Sequence, residues 1–115
     1  MGTATIQVRV LAVAGLRVWV AASGTLCAAT LRVMHYSLCA RAVDERTQFY
    51  LDLNHVYLDE ALPPHELAQL LPAGSRLRFH IVGGDESFRA PLGEDVRCRF
   101  HSDVASAWAA WSNQQ

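Results

Sequence analysis

The stretch Thr47-Gln-Phe-Tyr-Leu-Asp-Leu-Asn-His-Val-Tyr-Leu-Asp59 carries the clearest two-residue periodicity in the chain. Phe49, Leu51 and Leu53 fall on one face of an extended segment and Gln48, Tyr50 and Asp52 on the other, as in a half-buried strand. Val56 and Leu58 then take the opposite parity, with Asn54 and His55 between, so the strand is expected to bend or end there. A second run, residues 75–82, repeats the signal with Leu77, Phe79 and Ile81 inward. Between the two, Pro63-Pro64-His65-Glu66 ahead of Leu67, Leu70 and Leu71 predicts a short helix over residues 63–71, closed by Pro72-Ala73-Gly74.

Working outward, residues 5–11 alternate Ile6, Val8 and Val10 against Gln7 and Arg9. Ala14-Gly15 interrupts, and residues 16–21 alternate Leu16, Val18 and Val20 against Arg17 and Trp19, giving a hairpin or one long bent strand. Ser23-Gly24 offers a turn. Residues 26–43 read as β-rich, with Leu31, Val33 and His35 competing against Met34, Tyr36 and Leu38. Gly83-Gly84-Asp85-Glu86 reads as a loop and residues 88–92 as an irregular return. Residues 96–101 alternate again, with Val96, Cys98 and Phe100 inward. Val104, Trp108 and Trp111 follow helical spacing with Ser102 or Asp103 as a cap; a strand continuing from Val96 competes with that reading.

The totals bound the classes. A chain of 115 residues, 51% hydrophobic and 18% charged, suits one compact domain spanning residues 1–115 and excludes disorder. A net charge of −1 gives no global pull toward nucleic acid or membrane. Cys27, Cys39 and Cys98 are odd in number, which points to buried free thiols in a reducing, intracellular compartment. Residues 10–31 are apolar enough to imitate a signal or membrane segment. Arg17 sits in its middle, where a charge costs about 2.5–3.5 kcal/mol on insertion, and no cationic region precedes it. Neither secretion nor a membrane partner is expected.

One short pattern recurs: Arg76-Leu77-Arg78-Phe79-His80 and Arg97-Cys98-Arg99-Phe100-His101. As strands, both copies aim two arginines and a histidine at one face. If the strands pair, a basic patch forms that holds phosphates through arginine forks. The bland alternative is a solvated face balanced by Asp85, Glu86, Glu94 and Asp95.

The strand bearing Trp19, the segment Phe49-Tyr50-Leu51-Asp52-Leu53 and the phrase Leu71-Pro-Ala-Gly-Ser-Arg-Leu-Arg-Phe79 together resemble the cold-shock and S1-like branch of the OB-fold. The resemblance implies that Trp19 and Tyr50 stack bases, worth about 1–3 kcal/mol each. The chain departs from that family near Gly24, where Thr25 and Cys27 replace alternating phenylalanines, and at Asp52, which occupies a histidine position.

Catalytic and metal readings are poorer. His35 and Cys39 have the i, i+4 spacing that serves a metal on a helix, but along a strand they lie about 13 Å apart, so a packed histidine and a buried thiol are expected. His55 with Asp52 or Asp59 lacks an accompanying nucleophile, and Gly83-Gly84 lacks the spacing of a phosphate loop. The sequence therefore predicts an all-β, OB-like barrel of five or six strands with one short helix. An immunoglobulin-like sandwich is the competitor, opposed by the helix ahead of Leu77. It further predicts a noncatalytic module without cofactor or metal, binding RNA or single-stranded DNA through Arg76, Arg78, His80, Arg97, Arg99 and His101 with Trp19 and Tyr50. The alternative is a protein-interaction module, docking a protein partner or a neighbouring domain, on a barrel that has lost that face.

Overall fold

The computed structural model describes residues 4–43 and 45–113. Strand β1 (Ile6–Ala14) turns at Gly15 into β2 (Arg17–Leu26), and helix α1 (Ala28–Val43) leads to β3 (Gln48–Leu58). Helix α2 (Pro64–Leu67), continued by a 3-10 turn over Ala68–Leu70, precedes β4 (Arg78–Val82). Helix α3 (Glu86–Leu92), strand β5 (Cys98–His101) and helix α4 (Val104–Asn113) complete the order. The five strands lie in one sheet in chain order; β1 and β2 are antiparallel, and β2 through β5 are parallel.

This architecture corrects the expected barrel and its sandwich competitor: the protein is α/β, with an open mixed sheet and four helices. The decisive segment is residues 26–43. Leu31, Met34 and Leu38 are buried at i, i+3 and i+7 of α1, whereas Val33 and Tyr36 stay exposed. Those two exposed apolar residues imitate a strand pattern. The helix supplies a crossover, and crossovers are what parallel neighbours require. The turn expected at Ser23-Gly24 is likewise absent, because both lie within β2. Gly24 sits at φ +121, where a Cβ would lie 2.3 Å from the Thr5 carbonyl oxygen, so only glycine admits that close backbone approach. The irregular return at residues 88–92 belongs to α3, capped by Asp85, whose side chain accepts from the Ser87 amide.

Each crossover from β2 to β5 steps in the same direction along the sheet. Right-handed crossovers taken in one direction place their helices on one face, and Leu31, Met34, Leu38, Leu67, Phe88 and Leu92 accordingly pack in a single core. Phe49, Leu51 and Leu53 of β3 and Phe79 and Ile81 of β4 meet them, on the inward faces that the sequence predicts. Each such side chain contributes about 1.5–3 kcal/mol on burial. Val96, almost fully exposed ahead of β5, and Leu16 and Val10, also exposed, depart from the expected alternation. The second face is left to α4, which carries Ala107 and Trp111 onto Trp19, Tyr50 and Val82. Asp103 caps α4 by accepting from the Ser106 amide at 2.7 Å, which decides the helix over the strand for this segment. Among the described residues, no helix is long and apolar enough to cross a membrane.

Candidate functional site

The recurring arginine-histidine copies reach paired strands only in part: Arg76 and Arg97 lie in the turns ahead of β4 and β5, and within the strands His80 stands opposite Arg99 in the parallel register. Their side chains nevertheless divide. Arg97 turns inward to form an ion pair of 2.7 Å with Asp95 and donates to the Pro72 and Gly74 carbonyls at 2.7 and 2.9 Å. That ion pair holds the Asp95 carboxyl below its usual range, chiefly through the guanidinium hydrogen bond. Arg76, Arg78 and Arg99 stay exposed at the amino-terminal end of β4 and on β5. Arg78 also folds back to donate to the Ser75 and Leu77 carbonyls.

The aromatic candidates Trp19 and Tyr50 form a stacked row across the sheet with His80 and His101, closed at one end by the partly exposed Trp108 of α4. Trp108 stacks on Trp19 at 4.4 Å, Trp19 on Tyr50 at 5.3 Å, Tyr50 on His80 at 4.1 Å and His80 on His101 at 5.2 Å. The register dictates this, because Trp19, Tyr50 and His80 are direct partners on three successive parallel strands. Trp111 sits edge-on to Trp19 and Tyr50. Arg17 lies over the Trp111 ring at 4.9 Å and donates to its carbonyl, a cation at the last turn of α4. Trp19 and Tyr50 are fully buried, and the Tyr50 hydroxyl has no hydrogen-bond partner among the described residues. His80 Nδ1 lies 2.9 Å from His101 Nε2. Burial first, then His101 and Arg99, pushes the His80 pKa down to about 4; burial, then Arg99, lowers that of His101. Both rings are therefore neutral at pH 7.

A different region is open. Pairing of β3 with β4 ends at Asp52 and Val82, while β3 continues to Leu58 along β2. Residues 53–58 thus keep one strand edge that no described strand covers. The bend expected at Asn54-His55 is realised as a register shift against β2 rather than an ending. Asn54 is held there by Asp52, whose Oδ1 accepts from the Asn54 amide and side chain at 3.0 and 2.8 Å. Gly83, at φ +76, lets the chain leave β4 tightly against Asn54, because a Cβ would lie 2.4 Å from Asn54 Oδ1.

That edge opens into a cleft of about 1150 Å³, walled by α2 and α3. Asp59, Glu60, Asp85 and Glu94 line it together with Tyr57 and His65, and no arginine does. Tyr57 is 73% exposed. The cleft lies where β3 and β4 deliver their carboxyl ends, and its carboxylates give it a single sign of charge that concentrates cations. In the sequence, Asp85 and Glu94 stand out only as charges balancing the arginines. The signal present was the phase slip at Asn54 together with Gly83-Gly84, two breaks that meet in space. Among the described residues, no three histidine, cysteine or acidic groups come together to hold a metal ion. No protein-family model matches the chain, and no curated protein matches it.

Proposed function

We propose that the chain is a noncatalytic protein-binding module that receives an extended, arginine- or lysine-bearing segment of a partner in the cleft beside β3. The observation that carries this reading is the uncovered edge of residues 53–58 facing a cleft lined by four carboxylates. An extended segment adds to such an edge through main-chain hydrogen bonds, and pockets for its alternate side chains give specificity. Carboxylates on the rim steer a cationic segment and fix its register.

A second reading, binding of RNA or single-stranded DNA, rests on Arg76, Arg78 and Arg99, which stand exposed toward the opposite end of the sheet. Fluorescence-anisotropy titration separates the two. Labelled peptides alternating arginine with valine, and labelled single-stranded RNA and DNA, are titrated with the chain at low and at physiological salt. The protein-binding reading predicts peptide binding that weakens at least tenfold in Glu60→Lys/Glu94→Lys and is untouched in Arg78→Glu/Arg99→Glu. Salt-sensitive RNA or DNA binding that is lost in the arginine variant, with no peptide binding, would replace it by the second reading.

A further inference from the structure

Because residues 28–43 are helical, His35 and Cys39 share one face of α1, a turn apart. Cys39 Sγ lies 3.4 Å from His35 Nε2, and His35 Nδ1 lies 3.0 Å from the Leu70 carbonyl oxygen. A carbonyl oxygen only accepts, so Nδ1 carries the hydrogen and Nε2 turns its lone pair to the thiol. Leu70 ends the 3-10 turn after α2, where a last carbonyl lacks a partner within its own turn. A thiol, a base in hydrogen-bond reach and a third group orienting that base stand in line, which is the arrangement that activates a cysteine. Both residues are half-buried rather than sealed in the core.

We propose that Cys39 is a modification site, a reactive thiol that exchanges with low-molecular-weight disulfides using His35 as its base. The Cys39 S–H bond breaks and its proton passes to His35 Nε2. The thiolate attacks one sulfur of the disulfide, forming a new S–S bond and breaking the old one. The departing thiolate takes the proton back from Nε2 and leaves as a thiol. Cys39 sulfur is oxidised, the departing sulfur is reduced, and no further oxidant is needed. The other two cysteines lack this geometry. Cys98 packs against the core beside Phe79 and Phe100, where burial pushes its thiol up to about 12. Cys27 meets the Thr30 hydroxyl at 3.5 Å rather than a base.

The test is exchange of the full chain with excess oxidised glutathione, quenched by acid and resolved by site with peptide mass spectrometry, in buffer and in urea at one pH. Cys39 is expected to form its mixed disulfide at least tenfold faster in the folded chain than in the unfolded one, although folding reduces its exposure. Cys98 is expected to show the reverse order. His35→Gln supplies no base, and it is expected to slow folded Cys39 at least tenfold with unchanged far-UV dichroism. Cys39 reacting no faster folded than unfolded overturns the proposal, as does an unchanged rate in folded His35→Gln. Should His35→Gln fail to fold, the folded-against-urea comparison on the unsubstituted chain decides alone.

Discussion

Strands β3 and β4 build two regions of opposite character. Through Tyr50 and His80 they contribute to a row of rings buried beneath α4, and beyond Asp52 and Val82 they part to leave an open acidic cleft. The row holds the aromatic and histidine residues that look functional in the sequence; the cleft holds tyrosine and carboxylates that look like ordinary surface. The difference comes from which strand has a neighbour. Where both strands run side by side, the register stacks their rings and α4 covers them. Where β3 runs on past β4, paired with β2 alone, it leaves one edge uncovered. Substitutions in the row should therefore change stability, and substitutions in the cleft should change binding with stability nearly constant.

The largest effect is expected from Trp111→Ala, which removes the ring packed edge-on against Trp19 and Tyr50. Loss of a buried tryptophan costs about 3–5 kcal/mol, read as a lower midpoint in urea. A loss below 1 kcal/mol would mean that α4 does not seal the row.

Acidification should act on the same region. The folded His80 pKa of about 4 lies below the 6.5 of an unperturbed histidine, so the unfolded chain takes up the proton first. Stability is then fully present above pH 6.5 and falls as pH drops toward 4, on the order of 2–3 kcal/mol for this residue. His80→Phe retains a ring against Tyr50 and removes the titration, so its stability should vary less between pH 6.5 and 4 than that of the natural chain. Parallel pH profiles for the two would place His80 outside the buried row.

Smaller still is Tyr50→Phe. A buried hydroxyl without a partner contributes nothing that its removal would forfeit, so stability should hold or rise by up to about 1 kcal/mol. A loss of 1–3 kcal/mol would show that the hydroxyl is hydrogen-bonded after all. In the cleft, Glu60→Lys/Glu94→Lys should shift stability by no more than about 0.5 kcal/mol. A large loss there would make those carboxylates structural rather than part of a docking surface.

Much of the inward packing was legible in the sequence. The two-residue period of Phe49, Leu51 and Leu53 and of Leu77, Phe79 and Ile81 marks core faces correctly, and the prolines at 63 and 64 mark α2. The expectation of a barrel fails for identifiable reasons. Exposed Val33 and Tyr36 blur the helical spacing of Leu31, Met34 and Leu38, and α3 is short and carries Pro91. Strand direction follows from the crossovers, so losing α1 and α3 as helices also loses the parallel sheet. The site was less legible. Trp19 and Tyr50 owe their burial to α4, far along the chain, and the cleft exists because β4 is shorter than β3, which neither strand's own pattern reveals. The His35–Cys39 contact depended on the same helix; as a strand the pair would stand far apart.

Hydrogen–deuterium exchange of the chain, alone and saturated with the alternating arginine peptide, tests the central claim most directly. Adding a strand to the uncovered edge should slow exchange at alternate amides of residues 53–58 at least tenfold, while the amides of Trp19, Tyr50 and His80 remain as they were. Protection confined to the neighbourhood of Arg76, Arg78 and Arg99, or no change at residues 53–58 with the peptide bound, would contradict the assignment of the cleft as the docking site.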